Sequence, residues 1–329
     1  MDSALDIKKY NFSSLCVSRE EVLKWNELHF EFFKNFSSKH TQKCYMRDIK
    51  QFYKFLDINI PNLSKFDDVR RIHLVAYRDF LMETGQAPKT VCRKFSSLSS
   101  YFDFLVEKEI FEINPCSSIK RPSQSAQRPT NDLSDLEVAQ LFEVVDRAEN
   151  PMHKALIYLL FYTGVRKQEL INICPCDFEH RDGVVLLHII GKGKKQLMKV
   201  IDSKVYQLIE AYWESLANNG FTVEQNGPAF MPTRNPKNGV LQKRLNPKSV
   251  DYIFKKYCHK AGIFRRVSPH SARASYIGSA LENGANLLHV SQDVGHSSVK
   301  TTQEYNKRRQ KIKDSPVNHL GYKQEKKSA

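Results

Sequence analysis

The chain has 329 residues, with 51 Lys+Arg against 36 Asp+Glu and a formal net charge of +15. At roughly 150 residues per domain this suggests two domains with separate cores, and 41% hydrophobic with 26% charged residues excludes a mainly disordered chain. The longest apolar run, residues 155–162, falls far short of the roughly 20 residues of a membrane span. The N-terminus lacks a signal-peptide layout, and seven scattered cysteines make no disulfide framework. A cytoplasmic location without membrane is the expectation, and the positive charge makes nucleic acid the first partner to test.

Residues 1–17 show no periodicity and read as a leader. Four helical patterns follow. Val22, Trp25, Leu28, Phe32 and Phe36 share one face, and Tyr45, Ile49, Phe52, Phe55 and Leu56 share a second. A third pattern runs from Val69 through Ile72, Ala76, Phe80 and Leu81 to a stop at Gly85. The fourth opens after Pro88 with Val91, Phe95, Leu98, Phe102 and Leu105. Residues 18–116 thus read as an all-helical domain, whose second and fourth helices carry Lys43, Arg47, Lys89, Arg93 and Lys94 as candidate phosphate or base contacts.

Residues 117–131 form a basic linker rich in Pro and Ser. Ser134 to Glu137 has capping-box spacing and leads a helix with Leu136, Val138, Leu141, Val144 and Val145 on its apolar face. A buried helix runs from Pro151 to Thr163-Gly164. Residues 184–190 and 197–201 are β-rich and flank Gly191-Lys192-Gly193-Lys194-Lys195, a hairpin with a basic tip. Helical patterns resume at 204–216, 247–261, 270–282, 286–294 and 299–310. Lys243, Arg244 and Lys248 add a basic cluster. The second domain, residues 132–310, is therefore mainly helical with a small antiparallel sheet.

Four segments concentrate reactive side chains: Thr163-Gly164-Val165-Arg166-Lys167-Gln168-Glu169-Leu170; the hairpin tip at Lys192; Ser268-Pro269-His270-Ser271-Ala272-Arg273; and Gly295-His296 followed by Thr301-Thr302-Gln303-Glu304-Tyr305. Singly each has a bland reading: an i,i+3 ion pair between Arg166 and Glu169, a solvated turn, a chance His-x-x-Arg, one of fourteen tyrosines. In this order the set resembles the tyrosine recombinase (phage integrase) family over residues 20–310. That family pairs Arg in a TG-x-R-x-x-E-L box, Lys on a β-hairpin, H-x-x-R, G-H and then Tyr.

The resemblance implies a four-helix core-binding (SAM-like) domain followed by a mixed α+β catalytic domain. It also implies a catalytic set of Arg166, Lys192, His270, Arg273, His296 and the nucleophile Tyr305. Two forked guanidiniums suit the oxygens of a phosphodiester transition state, His296 adds a donor, and Glu169 orients a guanidinium. A free phenol of pKa about 10 is only about 0.1% ionised at pH 7, so the nucleophile needs a base, and His270 is the natural acceptor. Lys192 is the implied general acid for the departing 5′-oxygen, with Lys194 a competitor.

One ester replaces another, giving a 3′-phosphotyrosine and a 5′-hydroxyl, so neither ATP, metal nor any other cofactor is expected. The Gly191-Lys192-Gly193 turn lacks P-loop spacing, no acidic cluster matches a two-metal nuclease, and Cys174-x-Cys176 lacks a second zinc pair. Ala274 stands where many relatives have a second His, and Asn306 where Thr is common. The layout resembles Xer-type resolvases and simple mobile-element integrases, between which the sequence does not separate; the front is too short for an arm-site domain. The implied partners are double-stranded DNA with inverted half-sites and a homo-tetramer, or a paired related recombinase, with residues 311–329 docking in trans. A silent DNA-binding scaffold and a type IB topoisomerase are the alternatives.

Overall fold

The computed structural model describes residues 19–61, 63, 65–123, 131–191, 195–232, 243–308 and 320. The expected leader, Lys192, Lys194, the middle of the linker and nearly all of the C-terminal tail lie outside the described residues. The chain divides into two compact units, Met1–Arg128 and Pro129–Ala329, and is mainly helical, with one small sheet in the second unit.

In the first unit α1 (Arg19–Lys34), α2 (Lys39–Asn59), α3 (Arg71–Glu83) and α4 (Pro88–Glu107) enclose an aromatic core. Pro88 begins α4, where a missing N–H costs nothing, and Ser38 caps α2 by accepting the Thr41 N–H at 3.3 Å. The apolar faces read for α2 and α4 are the buried ones. On α3 the expected face holds only in part: Leu81 is buried, but Ile72 and Phe80 are exposed, and Leu74 and Tyr77 point inward in their place. Val69, buried ahead of the helix, belongs to the short 3-10 turn connection before it rather than to the helical stripe. The first part of the linker lies on this unit, where Arg71 donates to Ser118 O, Arg78 to Lys120 O and Arg121 to Ser96 Oγ.

In the second unit α5 (Asp135–Asp146) starts at the Ser134–Glu137 capping box. Its first apolar residue, Leu136, is exposed, and Leu141 and Val145 are the buried pair. The helix α6 (Pro151–Thr163) is apolar all round and buried on nearly every side. It ends at Gly164 in left-handed conformation, φ +58°. The short α7 (Lys167–Asn172) and the strand β1 (Phe178–Arg181), neither of them expected, precede β2 (Val184–Ile190) and β3 (Gln196–Ile201). The sheet order is β1-β2-β3, antiparallel throughout, with Phe178 opposite Leu187 and Leu187 opposite Lys199. Helices α8 (Ser203–Asn218), α9 (Pro247–Lys260), α10 (Pro269–Glu282), α11 (Leu287–Asp293) and α12 (Val299–Arg308) complete the unit. No helix of the described residues is long and apolar enough to cross a membrane.

Candidate active site

The site is built where the end of α6, the start of α7, the first turns of α10 and the turn after α11 meet. Arg166 is the residue before α7, and Glu169, three positions on, reaches back to it. Glu169 Oε2 accepts the Arg166 backbone N–H at 2.8 Å, and Oε1 accepts Nη1 at 2.6 Å. The R-x-x-E spacing is thus a helix N-terminal arrangement in which one carboxylate satisfies an orphan backbone donor and fixes a guanidinium. Arg166 Nη2 donates to Gly295 O at 3.2 Å.

Arg273, on α10, is 1% exposed. Its Nη1 donates to Gly164 O at 2.7 Å and its Nη2 to Val294 O, whereas its buried Nε has no hydrogen-bond partner among the described residues. Burial, together with the nearby Arg166, brings its pKa down to about 10, so it remains a cation at neutral pH. Three carbonyls at a glycine C-cap and a tight turn therefore hold two guanidiniums side by side. Gly295 takes φ +63°, and a Cβ there would lie 2.8 Å from Leu197 Cδ1, so a larger residue in this turn would strain the backbone and displace Leu197.

His296 follows that turn. Its Nδ1 is 2.8 Å from Thr302 Oγ1, a hydroxyl of a fully buried residue. Burial, then Arg273, Arg166 and His270, press its pKa down to about 4, which leaves the ring neutral at pH 7. Tyr305 on α12 stacks on His296 with ring centroids 6.2 Å apart and planes 14° apart. It is 8% exposed and packs with Ala274, Ile277, Val290 and Val294. His270, in the first turn of α10, is exposed and lines a cleft of about 280 Å³ with Arg166, Lys167, Gln168 and Asp251.

The structure thus brings together Arg166, Glu169, His270, Arg273, His296 and Tyr305, all within one unit. Lys192 lies outside the described residues; the flanks of its turn are closed by the Gly191 N–H donating to Lys195 O at 2.7 Å. Of the candidate DNA contacts, Lys43, Arg47, Lys89, Lys243, Arg244 and Lys248 are exposed. Arg93 is half exposed and forks onto Asp48. Lys94 does not present its charge to solvent. It is 5% exposed, with its ammonium given to Gln51 and Asp48, because α4 packs that side of its helix against α2. Sequence reading missed Thr302, Lys199 and Asp293 as parts of the surroundings of the site. The one available signal was a Lys in the middle of an otherwise apolar strand.

Residues 131–311 match the model of the phage integrase family, and residues 32–109 match that of the phage integrase N-terminal SAM-like domain. The chain belongs to the phage integrase family. As an integrase-family member it is 27% identical over 296 residues to tyrosine recombinase XerC of Syntrophus aciditrophicus (strain SB), covering 87% of this chain and 92% of that protein. It is 26% identical over 278 residues to tyrosine recombinase XerD of Oceanobacillus iheyensis, covering 84% and 90%. Among solved structures, XerH site-specific recombinase bound to palindromic difH substrate in a post-cleavage complex superposes with TM-score 0.70 at 19% identity, over 91% of this chain and 83% of that one. A lambda integrase dimer bound to a COC′ core site gives TM-score 0.64 at 14% identity, over 92% and 80%. These structural likenesses establish the fold. The family establishes the enzyme class, a tyrosine-type site-specific recombinase that breaks and rejoins DNA.

Proposed function

We propose that Tyr305 attacks a scissile phosphate to give a 3′-phosphotyrosine and a free 5′-hydroxyl, and that strand exchange then proceeds through a Holliday junction. The observation that carries this reading is the convergence of Arg166, Arg273 and His296 beside the Tyr305 ring. The two guanidiniums are held by Gly164, Val294 and Gly295 carbonyls, so their orientation is set before substrate arrives. Donors preorganised toward developing charge contribute about 3–4 kcal/mol each. Neutral His296 pairs Nδ1 with the Thr302 hydroxyl at 2.8 Å, and in the tautomer that carries its proton on Nε2 it offers a donor to a phosphate oxygen. His270, at the mouth of the cleft, takes the proton of the attacking hydroxyl, and Lys192 protonates the leaving 5′-oxygen. Ester exchange conserves the bond energy, so rejoining needs neither ATP nor a metal.

The helical unit at residues 18–116 and the catalytic unit at 132–310, joined by the linker at 117–131, together grip a duplex carrying inverted half-sites. Four protomers assemble on paired sites, with residues 311–329 of one docking on the next. Exposed Lys43, Arg47 and Lys89 on the first unit and Lys243, Arg244 and Lys248 on the second supply phosphate and base contacts. A nicked duplex that loses its 5′-fragment on cleavage should trap a covalent adduct on the wild type. Tyr305→Phe should bind the same duplex and form none; an adduct on Tyr305→Phe would overturn the assignment. Relaxation of a plasmid without any target site would favour a topoisomerase instead.

A further inference from the structure

Lys199 occupies the middle of β3 on the sheet face turned to the core and is 2% exposed. An ammonium so deeply buried requires a counter-charge. It has one in Asp293, the last residue of α11, whose Oδ2 lies 2.7 Å from Nζ. The same oxygen accepts the Tyr276 hydroxyl at 3.0 Å, and the ammonium stands 5.5 Å from the Tyr276 ring centroid. Burial lowers the pKa of Lys199, and Asp293 opposes that shift.

The location of this triad matters more than its chemistry. Asp293 directly precedes Val294 and Gly295, whose carbonyls hold Arg273 and Arg166, and His296 comes next. Tyr276 packs against Gly164, the third carbonyl on Arg273. On the other side, Lys199 lies two residues from Leu197, whose methyl groups press on both Gly295 and Gly191. Gly191 lies in ordinary contact range of Glu169, where a Cβ would stand 3.5 Å from Oε1. The base of the β2–β3 hairpin is therefore fastened to the turn that builds the arginine pocket by an ion pair and an apolar contact.

Stability alone does not account for the ion pair. Apolar residues of the same volume are often equal or better than a buried pair, which instead imposes one directed geometry. We propose that Lys199 and Asp293 are positioning residues that fix the β2–β3 hairpin, and with it the lysine at its turn, relative to the phosphate held by Arg166 and Arg273. This rests on the strand-exchange reading above. In the step concerned the Tyr305 oxygen gives its proton to His270 and forms a bond to phosphorus, the bond from phosphorus to the 5′-oxygen breaks, and that oxygen leaves with the electron pair and takes a proton from the hairpin lysine. A misplaced hairpin slows proton delivery and leaves the arginines in place.

The test uses the full chain and two nicked duplexes of the sequence recovered on trapped wild-type protein. One duplex has the natural bridging 5′-oxygen; the other has bridging 5′-sulfur, which leaves as a thiolate and needs no proton. The variant Lys199→Met with Asp293→Leu is expected to melt within about 4 °C of the wild type. On the oxygen duplex it should form adduct at least about tenfold more slowly, within the range a general acid contributes, and on the sulfur duplex at close to the wild-type rate. Lys199→Met alone, which leaves Asp293 partly exposed and still bonded to the Tyr276 hydroxyl, should show the same split more weakly, and it decides the matter if the double variant does not fold. Equal slowing on both duplexes, or none on the oxygen duplex, overturns the proposal. A wild type that forms no adduct on either duplex instead overturns the strand-exchange reading, and the proposal falls with it.

Discussion

Glu169 grips Arg166 at two points, one oxygen on the backbone N–H at 2.8 Å and the other on the guanidinium at 2.6 Å. The carboxylate is buried, so its charge acts in a medium that screens poorly. Glu169→Gln keeps an acceptor for one of the two donors and removes the charge. Charge-assisted hydrogen bonds contribute about 1.5–3 kcal/mol net, so adduct formation should slow by about 10- to 100-fold while duplex affinity changes little. Glu169→Ala also strips the start of α7 of its cap and should cost about 1 kcal/mol further in stability. Single-turnover cleavage and thermal melts of both variants check the two effects separately.

His296 makes stability depend on pH in a defined window. Its pKa is pressed from 6.5 to about 4, first by burial and then by Arg273, Arg166 and His270. Between those values the unfolded chain binds more protons than the folded one, so stability falls as pH drops from about 6.5 toward 4 and is fully present above that range. His153, brought down to about 4 by burial and Lys256, contributes in the same direction. The melting temperature of the wild type should therefore fall more between pH 7.5 and 4.5 than that of His296→Gln, which retains the shares of His153 and of His73, whose pKa burial and Arg70 also lower. Equal falls for the two proteins would contradict the shielding of His296.

Gly164 joins the end of α6 to the pocket and has no room for a side chain. Its φ is +58°, and a Cβ would stand 2.7 Å from Tyr276 Cδ1. Gly164→Ala combines a left-handed backbone cost of about 1 kcal/mol with overpacking of about 1–3 kcal/mol. The expected loss is about 2–4 kcal/mol, measured by denaturant unfolding. Because Gly164 O holds Arg273 and Tyr276 bonds Asp293, cleavage should suffer even under conditions where the variant remains folded.

These sites were legible to different degrees. The apolar rows of α2 and α4 run at helical spacing over roughly three and four turns, and both helices lie where the pattern put them. On α3 the expected row included Ile72 and Phe80, which are exposed, and the chain buries Leu74 and Tyr77 beside Leu81 instead. β1 is four residues with Glu, His and Arg among them, and only its pairing with β2 makes it a strand. The reactive side chains could be read because chemistry restricts their types. The groups that aim them could not, since the carbonyls of Gly164, Val294 and Gly295 leave no mark in a sequence. Lys199 and Asp293 are likewise 94 positions apart.

Lys94 and Lys89 illustrate that difference, and salt dependence separates them. Both belong to the basic run at the start of α4, but Lys89 is exposed while Lys94 is 5% exposed and bonded to Gln51 and Asp48. Asp48 is completely buried and also holds Arg93 and the Ser97 hydroxyl, so Lys94 helps neutralise a carboxylate in the α2–α4 interface. A phosphate contact contributes about 0.9 to the slope of log affinity against log salt, whatever the base sequence. Titration of a random-sequence duplex between 50 and 200 mM salt should give Lys89→Ala a slope shallower by about 1 than the wild type. Lys94→Met should keep the wild-type slope and instead lower the melting temperature, because Asp48 loses one of its cations. A slope change in Lys94→Met equal to that of Lys89→Ala would mean that α4 releases this lysine to the duplex on binding.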